Sequence, residues 1–312
     1  MKKSLLYLVP SFSILILLFA SCAKEPTLGQ IEAIIDGNSV TFSAYNTDAD
    51  TYLWDFGDGT TSAEESPVHV YNISGSYTVI LTVSGRGGEA MATTQIQILP
   101  SIVEMLTGGP DATMGKTWVL TGAYVEGVNG GSVVDSAMAI IIPTIDDILT
   151  IIGLGEEYDN EFTFYSDGQY KVDVKNGIAL TAGIYATVNE IITDIGNEFN
   201  TMGIYAATYS PPESATWTLH NEDLVVDVIM NPFGMDVPAP VESRTISGKK
   251  WVSLSGDAFF GILDFPTTRQ FIIKEITTDK MDVALFICLY IYDENTIDVP
   301  TYLYHLTYVP KN

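Results

Sequence analysis

The sequence predicts an all-β protein of two domains, a β-sandwich followed by an up-and-down β-barrel that carries two helical insertions. Three observations carry this expectation. Short runs alternate apolar and polar residues, the pattern of strands with one buried face. Between residues 31 and 100, turn residues break those runs roughly every 8 to 12 positions, as in a sandwich. Beyond residue 112 the runs follow one another as consecutive hairpins, the sequence form of a meander or barrel.

The first 30 residues are read as an address. Lys2 and Lys3 precede an apolar run from Leu5 to Phe19, and then Ala20-Ser21-Cys22. A short positive region, an apolar stretch and small residues describe a secretory signal over 1–21. The run contains Pro10 and falls short of the roughly 20 apolar residues of a bilayer span. Leu18-Phe19-Ala20-Ser21-Cys22 resembles the lipobox of bacterial lipoproteins, with Phe19 where Leu or Val is usual. That resemblance implies acylation of Cys22, a lipidated tether over 22–30, and an outer-membrane anchor facing the cell exterior.

Composition excludes several classes of function. Asp plus Glu number 39 against 14 Lys plus Arg, for a net charge of −25. Residues 1–21 hold two lysines and no acid, so their removal takes the charge to −27. Phosphate backbones and anionic membrane surfaces are held by clustered basic side chains, so nucleic acid is excluded as a partner. Residues 23–100 hold 10 acids and 2 bases and residues 101–312 hold 29 and 10, so the acidity covers both domains and favours neutral ligands. With Cys22 acylated, Cys288 is left as the one thiol. It lies in the apolar run Leu285-Phe286-Ile287-Cys288-Leu289 and reads as a buried hydrophobe.

Residues 31–100 alternate at Ser39–Ala44, Tyr77–Val83 and Thr94–Ile98. Between them, Trp54 and Phe56 share one strand face, and Gly57 with Asp58-Gly59 supplies a tight turn. Trp54-Asp55-Phe56-Gly57-Asp58-Gly59, Pro67-Val68-His69-Val70-Tyr71 and Gly75-Ser76-Tyr77-Thr78-Val79 resemble, in order and spacing, the polycystic-kidney-disease (PKD) domain. The family implies an immunoglobulin-like sandwich that serves as an extracellular spacer or interaction module. Asp55 and Asp58 are expected to hold turn amides rather than calcium, and His69 is expected to be structural. Pro100 ends the module, and 101–111 reads as a compact linker with a short helical turn stopped by Gly108-Gly109-Pro110.

Residues 112–312 offer strands at Lys116–Leu120, Glu161–Tyr165, Gln169–Val174, Thr216–Leu219, Leu224–Met230, Arg244–Ile246, Lys250–Leu254, Gly261–Asp264, Gln270–Ile276, Met281–Tyr292 and Tyr302–Val309. Thr216–Leu219 is expected to pair with Leu224–Met230 across His220–Asp223. Two insertions, 133–155 and 178–209, carry apolar stripes at 145, 148, 149 and 152 and at 184, 188, 191, 192 and 195, the spacing of amphipathic helices. They read as helices packed on the barrel, with a ligand-gating lid or a partner-docking surface as the alternatives. Gly115–Leu120, Glu161–Phe164 and Thr216–Leu219 resemble bacterial lipocalin-like domains. In Bacteroidetes-type lipoproteins such a domain often follows a PKD module, and these proteins resemble surface glycan-binding proteins of polysaccharide utilisation systems. The resemblance implies capture of a polysaccharide or oligosaccharide near an outer-membrane uptake complex.

No metal, nucleophile-elbow or phosphate-loop motif and no cofactor motif occurs, so the chain reads as non-catalytic. The acidic run Glu156, Glu157, Asp159 and Glu161 reads as a solvated loop. Sugar rings stack on exposed aromatic faces, and the candidates for ligand contact are Trp251, Phe259, Phe260, Tyr302 and Tyr304. Trp118 and Trp217 are assigned to the core. The alternatives to glycan capture are adhesion to a protein partner and a barrel enclosing a small apolar ligand.

Overall fold

The computed structural model describes residues 26–47, 49–229, 240–266, 269–289 and 298–311. The signal segment and Cys22 lie outside the described residues. The chain divides between Leu99 and Pro100 into two compact units.

The first unit is a sandwich of seven strands: β1 (Thr27–Asp36), β2 (Ser39–Thr47), β3 (Thr51–Asp55), β4 (Thr61–Ser62), β5 (Val68–Val70), β6 (Gly75–Gly85) and β7 (Gly88–Ile98). One sheet runs β1-β2-β5 and the other β4-β3-β6-β7. Ile31, Val40 and Phe42 of the first sheet meet Trp54, Val79, Leu81 and Val83 of the second in one core. Trp54 is fully buried, and its indole N–H donates to Glu64 O at 3.0 Å, which satisfies the one polar atom it brings inside. Gly57 sits at φ +78° against Thr78 O, where a Cβ would overlap the carbonyl.

The second unit opens on α1 (Ile102–Thr107). Ser101 Oγ accepts from Glu104 N (3.1 Å), and Glu104 Oε2 accepts from Ser101 N (2.8 Å), a capping box that satisfies two otherwise orphaned amides. Gly108 ends the helix in the left-handed region. Leu106 is buried in the barrel core, and Trp118 Nε1 donates to Leu106 O at 2.9 Å, so the linker helix is part of the barrel's packing.

Its remaining elements in order are β8 (Lys116–Leu120), β9 (Gly130–Ser132), β10 (Ile142–Pro143), α2 (Ile148–Ile151), β11 (Glu161–Phe164), β12 (Gln169–Asp173), β13 (Ile178–Ala182), α3 (Gly183–Val188), β14 (Ile192–Asp194) and β15 (Ile204–Thr208). There follow β16 (Ala215–His220), β17 (Leu224–Ile229), β18 (Val241–Ile246), β19 (Lys250–Leu254), β20 (Gln270–Ile276), β21 (Met281–Ile287) and β22 (Tyr302–Pro310). Eight of them (β8, β11, β12, β16, β19, β20, β21 and β22) pair antiparallel in chain order, and β22 returns to β8 through Tyr308↔Leu120 and Pro310↔Trp118. The barrel is closed and up-and-down, as the hairpin succession predicts.

Several local expectations are corrected. β16 pairs with β12 and β19, not with Leu224–Met230. A closed barrel claims both edges of β16, so β17 pairs with β18 instead. Leu224, Val226, Val228 and Ile246 of that hairpin cover Ile272, Ala284, Phe286 and Leu303 on the barrel's outer face. The first insertion forms one helical turn rather than a long helix, because Asp147 adopts a left-handed φ of 53° just before it. In the second, α3 stops before Glu190 at φ 55°, and the rest is a three-stranded sheet, β13-β15-β14. Gly261–Asp264 is not a ladder strand; Leu263 makes a single parallel bridge to Thr181.

Gly261–Asp264 belongs to loop 255–266, which plugs the barrel. Phe259 and Phe260 are buried inside, packed on Phe162, Phe164, Phe271 and Tyr308 with ring centroids 4.4–5.7 Å apart. Tyr170 OH donates to Phe259 O at 2.6 Å and holds the loop in place. Tyr308, fully buried, has a hydroxyl with no hydrogen-bond partner among the described residues.

These two tyrosines give a paired prediction. Tyr170→Phe orphans a buried carbonyl and is expected to destabilise the barrel by about 1–3 kcal/mol. Tyr308→Phe removes an unpaired hydroxyl and is expected to be neutral or stabilising by up to about 1 kcal/mol. Denaturant midpoints of the barrel transition compare the two; equal losses would contradict the plug geometry.

Candidate functional site

The barrel wall has a seam. β22 pairs with β8 over Tyr308–Pro310 but with β9 over Leu303–His305. β8 and β9 therefore diverge from a common partner, and the chain between them, with β10 and α2, roofs the wedge. Glycine makes the approach of β9 possible. A Cβ on Gly131 would overlap the Tyr302 ring, so any other residue would displace that ring from the cavity wall.

A cavity of about 650 Å³ occupies this wedge. Its walls come from Leu120–Tyr124 at the end of β8, from Ile142–Ile145, Ile148 and Leu149 of the first insertion, and from Thr201–Ile204 of the second. Tyr302, Tyr304 and Leu306 of β22 face it, with Leu180 and Ile262 beneath. Leu263 N donates to Leu180 O (2.8 Å) and Ala182 N to Leu263 O (3.0 Å), so the plug and β13 form one floor.

Among the described residues, no Asp, Glu, Lys or Arg lines the cavity. Most of its polar groups already have partners. Tyr304 OH donates to Met202 O (2.6 Å), and Tyr158 OH accepts from Leu149 N (3.2 Å). Asn129 accepts from Val125 N and donates to Thr307 Oγ1, both at 2.8 Å, and Thr307 Oγ1 donates to Asp282 Oδ1 at 2.6 Å. His305 Nε2 lies 2.8 Å from Ser132 Oγ. Since that hydroxyl donates to Val133 O (3.0 Å), Nε2 carries the imidazole proton. Burial, reinforced by the Lys274 charge, lowers the His305 pKa to about 3, so this wall residue is neutral.

The five aromatic candidates fall in three places. Tyr302 and Tyr304 are buried and line the cavity. Phe259 and Phe260 are buried in the plug and reach no surface. Trp251 lies on the outer wall, where His220 stacks on it at 3.7 Å and its Nε1 donates to Glu222 O at 3.0 Å. The row of open aromatic faces expected for sugar stacking is therefore not formed by these residues. Trp118 and Trp217 are core, as assigned.

Other candidates are also placed. Asp55 Oδ1 accepts from Gly57 N (2.9 Å) and Asp58 Oδ1 from Thr60 N (3.0 Å), while His69 stacks on Phe56 at 4.1 Å and bonds Asp58 at 2.7 Å. The acidic run is not uniformly solvated. Glu161 pairs with Lys175 (2.6 Å) and with Lys311, whereas Glu157 is buried. Burial, with the Glu156 and Asp194 charges adding to it, pushes the Glu157 carboxyl up to about 7 against the bond from Asn160 Nδ2 (2.6 Å). Cys288 is buried, its thiol pushed up by burial and by Asp264. Among the described residues, no group of three or more His, Cys, Asp or Glu forms a metal-binding cluster. No helix among them is long and apolar enough to cross a membrane.

Sequence reasoning missed the seam. Thr121–Tyr124 and Gly130-Gly131 precede the first insertion, Ile142–Ile145 lie within it and Thr201–Ile204 within the second, and only the glycine pair marks a close backbone approach.

Residues 23–99 match the family model described as PKD domain, so the first unit is a PKD domain. The chain is similar to Collagenase ColA of Bacillus cereus, 42% identical over 74 residues, which cover 23% of this chain and 8% of that protein. This chain therefore spans under a tenth of that relative's length. Among solved structures, the PKD1 domain from Vibrio cholerae metalloprotease PrtV is similar at 35% identity and a TM-score of 0.23, covering 24% of this chain and 98% of that one. A structure of carbohydrate-binding modules from the β-sandwich superfamily aligns over 93% of both chains at 12% identity and a TM-score of 0.23.

Glu157 precedes Tyr158 on the cavity wall and sets a pH dependence. Between its ordinary value of 4.5 and about 7, the unfolded chain ionises this group while the folded barrel keeps it protonated. Stability therefore falls as pH rises through that window and levels off above it. Asp264, raised by burial from 3.8 to about 7, acts in the same sense. Glu157→Gln is expected to shrink the drop in barrel melting temperature between pH 5 and pH 7.5. An undiminished drop would remove Glu157 as a cause.

Proposed function

We propose that the chain is a lipid-anchored, non-catalytic binding protein whose barrel takes a small, uncharged, largely apolar ligand in the seam cavity. The observation that carries this is a cavity of about 650 Å³ whose lining, among the described residues, holds no charged side chain in a chain with 39 acids. Its volume lies in the range of about 300–1,000 Å³ of small-molecule sites. A carboxylate or phosphate placed here would be desolvated without a counter-charge, which is costly. A sugar faces a related problem, since each buried hydroxyl needs a partner and most wall groups already have one. Capture of a neutral polysaccharide for an uptake complex would instead need an open aromatic face, and Trp251 has one side taken by His220. Anchoring in the outer membrane through Cys22, facing the exterior, belongs to the same proposal.

Two dyes of similar aromatic body test the ligand class, neutral N-phenyl-1-naphthylamine and anionic 8-anilino-1-naphthalenesulfonate. The neutral dye is expected to bind saturably at one site and the anionic dye far more weakly. Met202→Trp, which places an indole in the cavity, is expected to weaken the neutral dye at least about tenfold, a loss of roughly 1.4 kcal/mol. Equal binding of both dyes would overturn the reading, as would polysaccharide binding by calorimetry that Met202→Trp leaves intact. For the anchor, a clickable fatty acid is expected to label the wild-type protein in cells and not Cys22→Ala.

A further inference from the structure

The two insertions that wall the cavity also carry a collar of exposed apolar side chains. Ile142, Ile145 and Ile151 of the first insertion are 45%, 52% and 43% exposed, and Ile195 and Phe199 of the second are 58% and 65% exposed. The two insertions are joined here. Asn197 N donates to Ile152 O and Asn197 Nδ2 to Ile151 O, both at 2.8 Å, so Ile151 lies beside the segment that carries Ile195 and Phe199. Ile142 and Ile145 also line the cavity, so the first insertion contributes both to its wall and to the exposed apolar surface. Exposed apolar side chains grouped on joined segments mark interaction surfaces.

The charge around the collar selects the occupant. No Lys or Arg occurs anywhere in 117–170 or in 176–243. Residues 121–160 carry seven acids and residues 176–214 carry four, among them Asp146, Asp147, Asp194 and Glu198 next to the collar side chains. A second copy of this chain would bring the same acidic rim and be repelled, and so would an anionic bilayer. An apolar centre flanked mainly by acids is complementary to an apolar face flanked by Lys and Arg. We infer that the end of the barrel formed by the two insertions docks a cationic amphipathic polypeptide segment of a partner protein. Ile142, Ile145, Ile151, Ile195 and Phe199 are the apolar contact, and the acids around them set orientation. The docked segment lies against both insertions that wall the cavity. The inference stands on the collar and its charge, not on what fills the cavity.

Calorimetry on the full chain with two designed amphipathic helical peptides tests it. They share one leucine face and carry either lysine or glutamate on the other. The lysine peptide is expected to bind and the glutamate peptide not to bind. Attraction between a cationic peptide and an acidic protein is expected in any case, so the deciding variant keeps charge constant. Ile195→Ser with Phe199→Ser removes two exposed side chains that do not line the cavity. It is expected to weaken the lysine peptide at least tenfold while the melting temperature and neutral-dye binding stay unchanged. Lysine-peptide binding that the double variant leaves intact would overturn the inference. Equal binding of the two peptides would do the same, as would binding of phosphatidylcholine vesicles in place of either peptide.

Discussion

An eight-stranded barrel encloses about as much space as its own side chains fill, and here the plug loop fills it. Phe259 and Phe260 enter between Phe162, Phe164, Phe271 and Tyr308, and Tyr170 holds their backbone by a hydrogen bond. Each buried ring contributes about 1.5–3 kcal/mol of transfer free energy, so the plug is a main part of the barrel's core. Once the centre is occupied, room for a ligand has to come from the wall.

The wall supplies it by exchanging partners along one strand. β22 is held by β8 near its end and by β9 near its start, and the space between the two partners is the cavity. The polar groups beside the cavity are tied into a network through Asn129, Thr307 and Asp282, with Lys274 Nζ donating to Val128 O at 2.9 Å. That network fixes the chain between β8 and β9 without placing a charge on the cavity wall. Glu157, Asp264 and Asp282 are buried behind the wall rather than on it, and most other acids stay at the surface. The two insertions hold acids and aliphatic residues but no Lys or Arg, so they give the wedge apolar walls and an acidic surround.

Legibility followed the range of the interactions. The PKD motifs were readable because Trp54, Gly57 and Tyr71 are set by turns and neighbouring strands within about twenty residues. The β11–β12 hairpin was readable for the same reason, from Ser166-Asp167-Gly168. Pairing of β16 was not, since its apolar alternation suits β17 as well as β19, and only closure of the barrel decides between them. The helical stripes misled because periodicity is silent on backbone φ: Asp147 and Glu190 break the helices with left-handed conformations that non-glycine residues seldom adopt. The aromatic candidates were found as residue types but not as roles. Tyr302 and Tyr304 do face a cavity, yet alternation cannot distinguish a lined cavity from an exposed platform.

The central claim is that ligand enters the seam and not the barrel's centre. Methionine methyl NMR of the full chain tests it most directly. Met202 lines the cavity, Met281 lies fully buried inside the barrel, and Met91 lies exposed on the PKD domain. On titration with N-phenyl-1-naphthylamine, the Met202 methyl is expected to shift saturably while Met281 and Met91 stay in place. A saturable shift at Met281, or none at Met202, would contradict the account.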